Sequence, residues 1–194
     1  MKLIGLTGGI GMGKSKAAEI LANQGLPVID TDDLARQVVA TGQPALGEIR
    51  KEFGEDVFLA HGELDRPKLA RLIFSDLRKR QALESILHPR IRSLWELHVG
   101  FWRREGRPTG VVVIPLLFET GSESGFDWII CMACGPDTQR NRLQARSWGE
   151  GETRDRISAQ MPVGEKMTRS NFVVWTEGSI DIHLAQIKRI LSLI

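Results

Sequence analysis

The stretch Leu3 to Ala18, LIGLTGGIGMGKSKAA, constrains the fold more than any other part of the chain. Leu3, Ile4 and Leu6 form a short apolar run that reads as a buried first strand. It leads into Gly8-Gly9-Ile10-Gly11-Met12-Gly13-Lys14-Ser15, which fits G-x-x-x-x-G-K-[ST] without a gap. A helical pattern follows, with Ala17, Ala18, Ile20 and Leu21 apolar and Gly25 placed to stop it. Strand, glycine-rich loop and helix in that order are the context of a phosphate-binding loop. A polyphosphate needs several donors close together, and backbone N–H groups approach it only where side chains are absent. Gly8, Gly9, Gly11 and Gly13 supply that access. The helix beginning near Lys14 turns its positive end and unpaired N–H groups toward the anion. Lys14 is expected to reach the β- and γ-phosphates, and the Ser15 hydroxyl to ligate Mg²⁺.

The chain has 194 residues, enough for about one domain with a small inserted subdomain. Hydrophobic residues at 42% and charged residues at 26% describe an ordinary globular protein. A formal net charge of +2 is too small to argue for nucleic acid or a membrane as partner. No apolar run reaches the length of a membrane span, and Met1-Lys2 leads directly into the first strand, so a cytoplasmic location is expected. Cys131 and Cys134 form a single CxxC in the apolar run from Trp128. No further ligands stand at matching spacing for zinc, which leaves two packed thiols or a redox pair.

Leu26 to Asp30 reads as a second buried strand ending on an acid, followed by Asp32 and Asp33 in the turn before a helix. Asp33 and Asp32 are each open to reading as a helix N-cap, and Asp32 also as an acid facing an acceptor. From Thr41 to Arg107 the pattern becomes helical without strands, with Asp65 capping a helix at Arg66-Pro67. His88-Pro89 is expected to break the helical run, with His88 toward a cleft, whereas His98 lies on a packed stripe with Trp95 and Trp102. This block is a helical insertion, either holding an acceptor or serving as scaffold.

Gly110 to Ile114 is a third strand, with Pro115-Leu116-Leu117-Phe118-Glu119 at its carboxyl end and Glu119 near the site. Asp127 to Ala133 reads as a fourth strand, and Asp137-Thr138 as the cap of a helix bearing Arg140, Arg142 and Arg146. Arginines ahead of the loop Trp148 to Glu152 suggest either a mobile lid or a solvated helix face. A helix from Arg154 to Met161, a fifth strand from Asn171 to Trp175 and a closing helix with Ile180, Leu184, Ile187, Leu191 and Ile194 on one stripe complete the chain.

These residues resemble the dephospho-CoA kinase family, essentially end to end. The resemblance is carried by LTGGIGMGKS, VIDTDDLARQV, GELDRPKLARLIF, LESILHPRIR, VVVIPLLFETG, QRNRLQARS and RISAQMP, in that order. It implies an α/β fold, a P-loop NTPase three-layer sandwich of about five mostly parallel strands with helices on both faces. The core is expected over about residues 1–40 and 108–194, the insertion over about 41–107 and the lid over about 140–162. It also implies transfer of the γ-phosphoryl of ATP, with Mg²⁺, to the ribose 3′-hydroxyl of dephospho-CoA, the last step of coenzyme A synthesis. By motif position, Asp32 is the expected base or orienting acid for that hydroxyl, with Lys14 and Arg142 stabilising charge. Gly9, Gly11, Met12, Gly13, Lys14, Ser15, Lys16, Arg142 and Arg146 would bind nucleotide, and His88, Arg92 and Leu117 would join Asp32 on the acceptor side.

The chain departs from the family pattern at Met12, at Lys16, at Ser147-Trp148 in the lid, and at Trp175-Thr176-Glu177-Gly178. There the family usually carries an Asn before the late glycine, in a segment expected near the adenine. A kinase acting on AMP or shikimate would share Lys14 and Ser15 but has no reason to carry Asp32, His88 and PLLFE together. A GTP-binding switch would show an N-K-x-D segment, which this sequence lacks.

Overall fold

A computed structural model describes residues 1–146 and 149–194, so the lid positions Ser147 and Trp148 lie outside the described residues. The chain forms two compact units, one of Met1–Asp30 with Phe101–Ile194 and one of Thr31–Gly100.

The first unit is built on a five-stranded parallel sheet in the order β2-β3-β1-β4-β5. The strands are β1 (Lys2–Gly8), β2 (Val28–Asp30), β3 (Thr109–Val113), β4 (Trp128–Ala133) and β5 (Phe172–Trp175). Central β1 is buried from Leu3 to Gly8, as a strand covered on both faces must be. Side chains alternate across it. Ile4 and Leu6, with Val111, Val113, Ile130, Met132 and Val174, meet Ala17, Ile20 and Leu21 of α1 (Lys14–Asn23) and Ile187 and Ile190 of α9 (Ile180–Leu191). Each of these side chains larger than alanine contributes about 1.5–3 kcal/mol by leaving water. The other face is crowded where small residues admit large ones: a Cβ on Gly5 would lie 2.7 Å from Leu117 Cδ1, and one on Gly110 would lie 2.6 Å from Trp102 Cε3.

The second strand differs from its expected length and burial. It has three half-buried residues because it forms the sheet edge, pairing only with β3. At the opposite edge, the Gln186 side chain accepts from Trp175 N at 3.0 Å and donates to Trp175 O at 2.9 Å.

Helix α6 (Pro136–Gln144) starts earlier than Asp137-Thr138 would have it. Pro136 sets the first-turn geometry, and Glu177 Oε1 accepts from Gly135 N at 2.7 Å in place of a local cap. Helix α7 covers Glu150–Ser158 where a glycine loop and then a helix from Arg154 were expected, because Glu150 and Glu152 favour a helix N-terminus there. Helix α8 (Val163–Arg169) follows Pro162.

Both cysteines are buried free thiols; burial pushes Cys131 up to about 11 and raises Cys134 as well. Both thiols lie in the packed interior, and their burial disfavours the thiolate, which favours the packing reading of the CxxC.

The second unit contains α2 (Thr31–Val38), α3 (Pro44–Phe53), α4 (Arg66–Ser75) and most of α5 (Leu77–Arg104). Its core gathers Val38, Val39, Ala45, Leu46, Ile49, Val57, Leu69 and Leu83. Asp65 caps α4 by accepting from Lys68 N at 3.0 Å, as its position before Arg66-Pro67 requires. Asp33 is not a cap: α2 begins at Thr31, which puts Asp33 in the first turn, paired with Arg36.

His88-Pro89 does not break the helix. Helix α5 runs through Pro89 for 28 residues, because Leu83, Ile86 and Leu87 before the proline and Ile91 and Leu94 after it pack on one core. The Arg90 guanidinium donates to Ile86 O in the turn that Pro89 disrupts. His88 is half-buried mid-helix, and burial lowers its pKa below 6.5, with Glu84 opposing and Arg80 adding to the shift.

Among the described residues no helix is long and apolar enough to cross a membrane.

Two outcomes follow from these burials. In thiol titration at neutral pH, neither Cys131 nor Cys134 should react until the chain is unfolded in urea; a thiol modified in the folded chain would restore the redox reading. The unfolded chain binds more protons at His88 than the folded one just below pH 6.5, so this site costs stability as pH falls through that window. Urea unfolding between about pH 7 and about 5.5 should show a smaller stability loss for His88→Gln than for wild type. An equal loss in both would place the titration elsewhere.

Candidate active site

The loop Gly8 to Lys14 sits at the carboxyl end of β1, where open parallel sheets bind ligands. Gly8 has φ 140°, and a Cβ there would lie 2.3 Å from Met132 O of β4, a separation no side chain survives. Gly13 has φ 85° and is the left-handed residue from which α1 starts. A Cβ on Gly9 would lie 2.9 Å from Met12 Sδ, and one on Gly11 would lie 3.0 Å from Leu143 Cδ2. The loop is thus glycine-built by contact as well as by torsion. Met12 is buried beneath it, so its bulk is taken up by the core.

Lys14 Nζ donates to Gly8 O at 2.8 Å and Gly9 O at 2.9 Å, which places its ammonium inside the curve of the loop. Ser15 is exposed in the first turn of α1, and Lys16 points away to pair with Glu19 at 2.7 Å. The positive end of α1, the ammonium and the loop's N–H groups all act on one small volume. That combination binds polyphosphate.

Side chains from three later segments hold the loop. Gln139 of α6 donates to Ile10 O at 2.7 Å, and Gln160, just past α7, accepts from Ile10 N at 3.0 Å. Thr176, after β5, donates to Met12 O at 3.3 Å. Arg142 of α6 donates to Thr176 Oγ1 at 2.9 Å, to Thr176 O and, at 3.4 Å, to Gly11 O. It stands against the outer wall of the loop, while Arg146 is exposed two residues beyond α6.

The atypical segment at Thr176-Glu177 is built into this wall. Thr176 is 1% exposed, and hydrogen bonds, led by the Gly135 N–H, hold the Glu177 carboxyl below the usual range.

At the end of β3, Leu117 is fully buried against Gly5. Its side chain is core packing and lines no surface. Glu119 accepts from Met161 N at 2.8 Å and pairs at 2.7 Å with Lys166, whose side chain is 0% exposed and also donates to Pro115 O at 2.6 Å. The desolvation cost of burying such a pair is offset only because both groups are also hydrogen-bonded, Glu119 to Met161 N and Lys166 to Pro115 O. Thr7 of β1 donates to the same Pro115 O at 3.3 Å. Sequence reasoning missed Gln139, Gln160, Thr176 and Lys166 as functional neighbours of the loop. Gln139 and Gln160 fall within the quoted runs and Thr176 within the departing segment, while Lys166 carries no signal in the sequence, since these contacts join polar groups far apart in the chain with no periodicity.

The remaining expected residues belong to the second unit. Asp32 is exposed in the first turn of α2, two residues after β2 ends. His88 and Arg92 are one turn apart on α5, with Arg92 exposed and paired to Glu96 at 2.8 Å.

Among the described residues no group of three His, Cys, Asp or Glu side chains is gathered for a metal ion. Mg²⁺ suits what is present. It takes hard oxygen ligands, keeps several waters and draws on substrate phosphates, so an exposed Ser15 hydroxyl at a phosphate-binding helix end fits it.

A family model described as dephospho-CoA kinase matches residues 2–181. The dephospho-CoA kinase of Anaeromyxobacter dehalogenans is 39% identical over 193 residues, covering 99% of this chain and 92% of that protein. The crystal structure of TT1252 from Thermus thermophilus superposes with a TM-score of 0.85 at 35% identity, covering 100% of this chain and 97% of the other. The dephospho-CoA kinase from Campylobacter jejuni, at 22% identity, shares the fold, with a TM-score of 0.72 over 99% of this chain and 96% of its own. With an intact phosphate loop on a five-stranded parallel sheet and a match along nearly its whole length, this chain belongs to the dephospho-CoA kinase family.

Proposed function

We propose that the chain transfers the γ-phosphoryl group of ATP to the ribose 3′-hydroxyl of dephospho-CoA, giving coenzyme A and ADP. The observation that carries this reading is the glycine cradle with Lys14 inside it, in a chain of this family. Phosphoryl transfer needs little covalent help from protein. It needs an in-line approach and charge compensation on the phosphate oxygens.

In the proposed reaction, the loop N–H groups and the α1 terminus hold the β-phosphate. Lys14 turns from the Gly8 and Gly9 carbonyls to the β- and γ-oxygens, and Ser15 holds Mg²⁺. When bound there, the ion would supply positive charge to the phosphate oxygens. Asp32 orients the acceptor hydroxyl and takes its proton as the new O–P bond forms. His88 and Arg92 bind the acceptor from α5. Arg142 keeps the loop wall in place, and Arg146 brings charge onto the nucleotide from a lid over about residues 140–162. The core of about residues 1–40 and 108–194 and the insertion of about 41–107 then divide the work into donor and acceptor sides. This reading has the reaction in the cytoplasm, with ATP and dephospho-CoA as substrates.

The test is ADP release from ATP and Mg²⁺ with dephospho-CoA, AMP, shikimate or no acceptor. Dephospho-CoA alone should support turnover and yield coenzyme A. Asp32→Asn should lower kcat by about 10²- to 10⁴-fold while ATP still binds. Turnover that survives this variant would move the base elsewhere; turnover with another acceptor would replace the substrate.

A further inference from the structure

The peptide units on either side of Ile10 are gripped by two glutamines that stand at opposite ends of one segment. Gln139 is 8% exposed and donates to Ile10 O at 2.7 Å. Gln160 accepts from Ile10 N at 3.0 Å. Between them lie the end of α6 and all of α7.

The far end of the segment is itself fixed. Met161 N donates to Glu119 at 2.8 Å, and Glu119 is pinned by the fully buried Lys166, which also donates to the carbonyl of Pro115. The near end is fixed by Leu143 and Gln139 of α6, which lie under the Cβ positions of Gly11 and Gly9. Ile10 has neither a strand nor a helix partner for its backbone, so these amides set its orientation. An apolar side chain at either glutamine would leave a part-buried backbone group without its bond.

We propose that Gln139 of α6 and Gln160, just past α7, are positioning residues that clamp Ile10 and so set the crest of the phosphate loop. The two glutamines have opposite tasks: residue 139 must donate and residue 160 must accept. This deepens the kinase reading and rests on it only for the turnover measurement.

The opposite tasks provide the test. Gln160→Met removes the acceptor, whereas Gln160→Glu keeps one. Gln139→Met removes the donor, and Gln139→Glu sets a carboxylate against a carbonyl. Hydrogen exchange at the Ile10 amide, read by NMR, should accelerate about tenfold or more in Gln160→Met and stay slow in Gln160→Glu. Both methionine variants should lose about tenfold to hundredfold in kcat with dephospho-CoA, with KM for ATP changed less than about threefold. Gln139→Glu should be at least as impaired as Gln139→Met.

Unchanged Ile10 exchange in Gln160→Met, equal exchange in its Glu and Met variants, or unchanged kcat in both methionine variants would overturn the clamp. Variants whose loss of activity merely follows a fall in Tm would also overturn it. If the wild-type protein does not turn over dephospho-CoA, the function reading fails, and the exchange arm still decides the clamp.

Discussion

The close approach of Gly8 to the carbonyl of Met132 is the constraint on which the rest of the site depends. A Cβ at Gly8 would fall 2.3 Å from that oxygen, so β1 can end beside β4 only with glycine there. That approach lets the chain turn upward immediately after the strand. Gly13 then completes the turn with a left-handed residue, and α1 begins with its N–H groups facing back over the strand end. An anion site thus comes from sterics at two glycines, before any charged side chain is considered. Lys14 adds charge to a shape that already exists.

What was legible in the sequence was whatever depends on local order. The strand-loop-helix at the N-terminus, the helical character of the insertion, the Asp65 cap and the apolar stripe of α9 all follow from neighbouring residues. What was not legible depends on distance. Pro89 reads as a stop because a local rule disfavours it, yet the apolar residues on both sides carry α5 through. Asp137-Thr138 reads as a cap because a remote Glu177 cannot be foreseen at Gly135. Leu117 looked like part of a binding motif, and its burial against Gly5 shows that an apolar residue within a signature can be there for packing.

The same distinction separates the two halves of the candidate site. The phosphate loop announces itself through glycine spacing, which is a backbone requirement written directly into residue type. Its supports do not. A glutamine that bonds a loop peptide looks like any polar helix residue, and a lysine that is wholly buried looks like surface charge until its carboxylate partner is placed. Thr176 is the sharpest case. It stands in the segment that departs from the family pattern, and it supplies its hydroxyl to both the loop and Arg142.

The bond pair between Gln186 and Trp175 has a meaning beyond holding α9 to β5. The outermost strand of an open sheet offers unpaired N–H and C=O groups to any extended chain that meets it. Here one side-chain amide occupies both groups of the same residue, as a neighbouring strand would. With the opposite edge only three residues long, the sheet presents little template at either side. A chain with apolar Val173 and Trp175 exposed on its last strand is thereby protected from adding strands of its own kind, a defence against aggregation made from one glutamine.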